Sequence, residues 1–108
     1  MSELLTRTFF GGFVRLHILY HAIREPVFGV EMMEELARHG YDVGAGTLYP
    51  ILHGLERRGL LRSATERVGS TERRVYRATA AGRKALAAAK AKVRELFGEL
   101  FEDAGGER

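Results

Sequence analysis

The sequence predicts a mainly α-helical domain with one small β-hairpin, in the order helix, helix, helix, hairpin, long helix. Three observations predict it. Apolar residues recur at steps of three and four in four separate stretches, the spacing of one helix face. Pro26, Gly40 and Gly59 punctuate those stretches,. A turn-forming segment, Val68-Gly69-Ser70-Thr71, divides two short runs ahead of the last stretch,.

Each element has its own justification. Phe9, Phe13, Leu16, Tyr20 and Ile23 mark the first helix, and Phe10, Val14, Ile18 and Leu19 widen its stripe. A helix apolar on more than one face must bury against more than its own small core. Gly11-Gly12 weakens its first turn, and Pro26 ends it, because the residue before proline avoids the helical region. The second helix, residues 29–39, is expected to bury Val30, Met33, Leu36 and Ala37 and to wet Glu31, Glu34 and Glu35. Glu31 in the first turn suits the helix dipole, and Gly40 is a natural stop. A turn over residues 41–44 leads to the third helix, residues 45–58, with Leu48, Ile51, Leu52 and Leu55 inward. Pro50 lies inside it, so a kink or a distorted turn is expected. Gly59 ends it, and Leu60-Leu61 returns the chain to the core. Residues 62–66 and 73–78 are the hairpin strands. Thr79 is the N-cap of the last helix, which runs to about residue 102 with a seam of Leu86, Ala89, Val93, Leu96 and Leu100, broadened by Phe97 and Phe101. At about 1.5 Å per residue it exceeds 30 Å, too long for a small core to cover. Residues 103–108 read as a frayed tail.

The middle elements make a helix-turn-helix followed by a wing. The fold class is a winged helix-turn-helix with an N-terminal helix and a long C-terminal dimerisation helix. Residues 1–78 form the DNA-binding part, 79–103 the dimerisation helix and 104–108 a tail, within one structural domain. At 108 residues there is little room for another,.

Charge supports this reading. Between Arg57 and Arg77 stand seven arginines against Glu66 and Glu72, on a chain whose formal net charge is only +3. A basic block on a nearly neutral domain faces either a polyanion or plain solvent. The chain has no cysteine, which excludes disulfides and thiolate metal sites and suits a reducing cytosol. The N-terminus lacks a signal-peptide pattern, and no apolar run nears the ~20 residues that span a bilayer. A cytoplasmic location without membrane contact is expected.

In a helix-turn-helix the second helix enters the major groove. Opposite its core stripe lie Gly46, Tyr49, Pro50, His53 and Arg57, with Thr47 flanking. Gly46 lets backbone approach DNA closely. Thr47 can bond phosphate or base and touch a thymine methyl. Tyr49 offers a hydroxyl and a ring, and His53 can donate to phosphate. Arg57 and Arg58 suit phosphate clamping. On the wing, Arg67, Arg73 and Arg74 are the DNA candidates. Adjacent strand residues face opposite ways, so one of Arg73 and Arg74 would reach phosphate directly. The competing readings are a Tyr49 ring packed on the wing and an arginine lattice with Glu66 and Glu72, above all for Arg62 and Arg77. Phe9, Phe10, Phe13, Leu86, Val93, Leu96, Phe97 and Leu100 are the expected dimer interface.

These residues closely resemble the PadR family. Phe28-Gly29-Val30-Glu31 looks like the aromatic-Gly-x-Glu that opens its second helix. Residues 46–56, GTLYPILHGLE, look like its G-T-L-Y-P-x-L-x-x-L-E signature, followed by Gly59-Leu60-Leu61. Residues 73–82 resemble its second wing strand and the T-x-x-G start of its last helix. The resemblance spans about residues 10 to 100. It implies a cytosolic regulator, often a repressor, that binds double-stranded operator DNA as a homodimer through its terminal helices. It implies release by a small phenolic or other aromatic effector at or near that interface. It carries DNA contact onto Thr47, Tyr49 and basic wing positions. Gly44 stands where a capping serine is common and Ala78 where a larger apolar residue is usual. Only one C-terminal helix is present, as in short members, and the absence of tryptophan excludes a tryptophan-stacked drug site.

Other functions compete less well. Phe9, Phe10, Phe13, Tyr20, Phe97 and Phe101 could line an interdimer cavity, or simply pack the interface. His17 and His21, spaced i, i+4, could chelate a metal, but no third ligand is evident beside them in sequence, although a dimer could supply one. They read as ordinary surface or interface histidines, with no metal and no cofactor expected. Ser2, Ser63 and Ser70 lack an activating context, and neither a phosphate-binding loop nor paired catalytic carboxylates occur, so no enzyme is expected. The main rival is a winged-helix protein–protein interaction module without specific DNA binding.

Overall fold

The computed structural model describes residues 3–102. The expected signal-free terminus and frayed tail lie wholly or partly outside them. The elements are α1 (Glu3–Arg24), β1 (Val27–Phe28), α2 (Gly29–Arg38), α3 (Ala45–Arg57), β2 (Leu61–Val68), β3 (Thr71–Ala78) and α4 (Ala80–Phe97), closed by a π-helical turn, Gly98–Glu102. All the predicted elements are present in the predicted order. The last helix is α-helical only to Phe97, whereas an α-helix to about residue 102 was expected. α1 starts at Glu3 and runs straight through Gly11-Gly12.

The hairpin is longer than predicted. β2 and β3 pair in full antiparallel register from Leu61↔Ala78 to Val68↔Thr71, so the turn is Gly69-Ser70. Sequence reading missed β1, whose two residues pair with β3 as Val27↔Tyr76 and Phe28↔Val75. The sheet order is therefore β1-β3-β2. Two residues carry no readable period of two, and Pro26 masked them as a helix end.

The core joins α1, α2, α3 and the sheet. Val14, Ile18, Leu19 and Ala22 of α1 meet Met32 and Leu36, Leu48, Leu52 and Leu55, and Val27, Leu61 and Tyr76. On α1 the inward stripe is thus Val14, Ile18 and Leu19 of the second predicted set, with Ala22 added and Phe10 left out. Phe9, Phe10, Phe13 and Tyr20 face outward. On α2, Val30 and Ala37 are exposed, against expectation, and Gly29, Met32 and Leu36 are buried. The cause is close packing at Gly29: a Cβ there would collide with the Tyr49 hydroxyl. That contact turns the 29/32/36 stripe inward, one helical step from the predicted one.

Both helices of the helix-turn-helix end in the same way. Gly40 and Gly59 adopt φ of 89° and 80°, the left-handed region that favours glycine. Tyr41 N–H donates to Leu36 O and Leu60 N–H to Leu55 O, each at 2.9 Å. These are Schellman closures, which satisfy orphan carbonyls at a helix end. Thr79 caps α4 as predicted: its Oγ1 accepts from Gly82 N–H at 3.0 Å and donates to Gly59 O. A Cβ on Gly82 would strike the Leu60 carbonyl, so α4 starts hard against the end of α3. α3 is helical throughout, Pro50 included. Gly44 caps it with backbone alone, accepting from Leu48 N–H at 2.9 Å, with no side-chain cap.

Candidate nucleic-acid interface

The outer face of α3 is open. Gly46, Thr47, Pro50, His53, Arg57 and Arg58 are all exposed, so the face predicted from 100° steps is the solvent face. Tyr49 departs from it. Its ring is half-buried, packs against Gly29 of α2 and the core, and lies 6.4 Å from the His53 ring, centroid to centroid. The ring thus braces α2 against α3.

The arginines of the wing and of the end of α3 divide into those with an acidic partner and those without. Arg77 donates to Glu66 at 2.8 Å, and Arg67 lies 3.8 Å from Glu72, its cross-strand partner. That is the lattice expected for Arg77. Among the described residues Arg57, Arg58, Arg62 and Arg74 have no acidic partner within ion-pair distance. Arg73 is engaged: it donates to Glu31 Oε1 at 2.6 Å and lies 4.3 Å over the Phe28 ring. The Arg73 guanidinium holds the Glu31 carboxyl below its usual range, chiefly through that hydrogen bond.

Sequence reading gave Glu56 no role, yet it ties α3 to the wing. Its carboxylate accepts from Ser63 N–H at 3.1 Å and from Ser63 Oγ at 2.8 Å, and Ser63 Oγ accepts from Arg74 at 2.7 Å. A helix carboxylate bonded to the following strand is invisible to helical periodicity, because its partner lies seven residues away across a turn.

The terminal helices leave large apolar side chains uncovered. Phe9, Phe10, Phe13, Val93, Leu96, Phe97, Leu100 and Phe101 are each about half exposed or more, while Leu86 is partly buried against the core. α1 and α4 pack together, so these side chains lie on adjoining helices. The Phe97 and Phe101 rings lie 5.0 Å apart, centroid to centroid, tilted at 51°. An open groove of about 350 Å³ lies instead along α1, β1 and α2, lined by His21, Val27, Met32 and Arg38 among others. No described helix is long and apolar enough to cross a membrane.

Comparison with known proteins agrees with this architecture. The model of the "Transcriptional regulator PadR-like family" matches residues 18–88. The chain belongs to this family. This PadR-like regulator is 51% identical over 95 residues to the "Transcriptional regulator Rv3488" of Mycobacterium tuberculosis (strain ATCC 25618 / H37Rv), covering 88% of this chain and 89% of that protein. Among solved structures it is similar to a PadR family transcriptional regulator from Eggerthella lenta DSM 2243, with 34% identity, a TM-score of 0.74 and coverage of 84% of this chain and 80% of that one. It is also similar to a PadR-like transcriptional regulator from Bacillus cereus strain ATCC 14579, with 25% identity, a TM-score of 0.81 and coverage of 98% and 100%. The resemblance carried by the GTLYP block is thereby established, and with it the winged-helix fold and a role in regulating transcription.

Proposed function

We propose that this PadR-like regulator binds operator DNA as a homodimer and acts as a repressor. Residues 1–78 form the DNA-binding part and residues 79–103 the dimerisation helix. The observation that carries the reading is the open face of α3 beside arginines with no acidic partner. Gly46 and Thr47, at the N-terminal end of α3, meet base edges, with Pro50 on the same face. His53, Arg57 and Arg58 follow the phosphates. Arg67 and Arg74 track the backbone from the wing, while Arg73 and Tyr49 hold the wing and α3 in place for them.

Dimerisation through Phe9, Phe10, Phe13, Val93, Leu96, Phe97 and Leu100, flanked by Leu86, is supported by their exposure, since apolar side chains clustered on adjoining helices mark an interaction surface. Two copies would set two recognition helices at a fixed spacing and read a two-fold symmetric site. A small aromatic effector seated among the same phenylalanines would release the DNA.

The test is a titration of a labelled duplex from the protein's own upstream region against a scrambled duplex of equal length, at several salt concentrations. Preference for the native duplex by ~10³ or more at physiological salt supports a specific regulator. Equal, weak binding to both would favour a protein–protein interaction module.

A further inference from the structure

We propose that His17, His21 and His39, with Glu35 beside them, form a binding site for a divalent transition-metal ion of the zinc class, joining α1 to the end of α2. The site is independent of the DNA interface and of the proposal built on it.

His17 and His21 project from one face of α1, as the i, i+4 spacing requires, with nearly parallel rings 6.4 Å apart. The sequence alone shows no third ligand. The fold supplies it: His39, the C-cap of α2, stacks on His17 at 4.6 Å between centroids. Each of the three imidazoles offers a ring nitrogen, and these atoms all lie within 4.8 Å of one another. A tetrahedral zinc ion, with bonds of about 2.0–2.1 Å, sets its nitrogens roughly 3.4 Å apart. The ring nitrogens must therefore close by up to about 1.4 Å, a distance that side-chain rotation can provide.

Two further observations point to a ligand. His21 Nε2 is buried and has no hydrogen-bond partner among the described residues. A buried ring nitrogen is normally satisfied, and a metal ion would satisfy this one. Glu35 Oε2 lies 3.1 Å from His39 Nε2 and 3.5 Å from His21 Nε2, where it supplies a fourth, anionic donor. The other oxygen of Glu35 accepts from Arg38, which fixes the carboxylate from behind, as outer partners of metal ligands do. Three imidazoles and one carboxylate suit zinc, cobalt or nickel in the +2 state.

Position gives the site a consequence. His39 stands at the head of the turn into α3, and His17 and His21 belong to the helix that carries Phe9, Phe10 and Phe13. An ion here cross-links α1 to the end of α2, the first helix of the helix-turn-helix. Any preference of the ion for one setting of α1 on α2 must be matched by an equal effect of that setting on metal affinity.

The experiment titrates the metal-free full chain with Zn²⁺ against a chromophoric chelator, and with Co²⁺ by absorption. The expected result is one ion per chain, with the intense visible bands of tetrahedral Co²⁺. His17→Ala and His39→Ala should each weaken binding at least tenfold and abolish those bands, and Glu35→Gln should weaken it less. His53→Ala, which removes the one histidine outside the cluster, should bind as the unaltered chain does. His39 is exposed, so its removal leaves the fold intact, as circular dichroism will verify. Absence of stoichiometric uptake, or uptake unchanged in a His17→Ala/His39→Ala double variant, would overturn the proposal.

Discussion

Arg73 on β3 holds Glu31 on α2 at 2.6 Å while its guanidinium lies over the Phe28 ring, so one side chain joins the wing to the first helix of the helix-turn-helix. The pair is exposed on the Glu31 side, so its contribution to stability is small and screened by salt. The sign of its pH dependence is determined. The Glu31 carboxyl is held below its ordinary range in the folded state. Such a group stabilises the fold above its unfolded pKa, and the stabilisation is lost as pH falls through the folded one. The Tm difference between the unaltered chain and Glu31→Gln should be constant near neutrality, at roughly a few degrees or less, and shrink below about pH 4.3. A difference that widened on acidification would contradict the pairing.

Tyr76 tests the other extreme of burial. It is fully buried, its hydroxyl has no hydrogen-bond partner among the described residues, and burial pushes its pKa up. An unmade buried hydrogen bond costs about 1–3 kcal/mol. Tyr76→Phe should therefore unfold at the same denaturant concentration as the unaltered chain or a higher one. A loss of more than about 1 kcal/mol would mean that the hydroxyl has a partner.

The legibility of this chain divides by range. The Schellman ends at Gly40 and Gly59, the Thr79 cap and the inward Leu48, Leu52 and Leu55 depend on neighbours within a few residues, and a sequence displays those. The rotation of α2 depends on Gly29 against Tyr49, twenty residues on, so the stripe at Val30 was misread. β1 depends on Val75 and Tyr76, nearly fifty residues on. The outer face of α3 followed from the core stripe alone, but the Glu56–Ser63–Arg74 chain and the third histidine at His39 required two elements to meet in space. Short-range chemistry was readable, and contacts between elements were readable only where a family motif encoded them.

The terminal helices make a prediction about assembly. If exposed Val93, Leu96, Phe97 and Leu100 are covered by a second copy, Leu96→Asp places a charge in an apolar interface, where an unpaired ion is costly. Leu96 is about half exposed within one chain, so the monomer itself should tolerate the change. Light scattering at micromolar concentration should show a dimer for the unaltered chain and a monomer for the variant. A variant that stays dimeric with unchanged thermal stability would place the interface elsewhere.

Arg74 and Arg57 are predicted to act on affinity without acting on sequence choice. Neither has an acidic partner among the described residues, and both lie on the proposed DNA face. Replacing either with alanine should weaken binding to native and scrambled duplexes alike. Each should reduce the slope of log affinity against log salt by about one, the signature of one lost phosphate contact. An unaltered slope would return that arginine to the solvated surface.

Gly46 and Gly82 separate fold from function within one pair of substitutions. Both glycines are helical, and alanine is intrinsically the better helix former by about 1 kcal/mol. At Gly82 a Cβ would meet the backbone carbonyl of Leu60, which cannot swing aside. Gly82→Ala should therefore cost about 1–3 kcal/mol by forcing α4 off the end of α3. At Gly46 a Cβ would meet nothing within 4 Å, so Gly46→Ala should leave stability unchanged or raise it by up to about 1 kcal/mol. The same added methyl would stand in the first turn of α3, on the face proposed to meet a base edge. Gly46→Ala should thus weaken operator binding at least tenfold while the protein melts no lower than before. Full affinity in a stable Gly46→Ala variant would show that the N-terminal turn of α3 does not approach DNA closely.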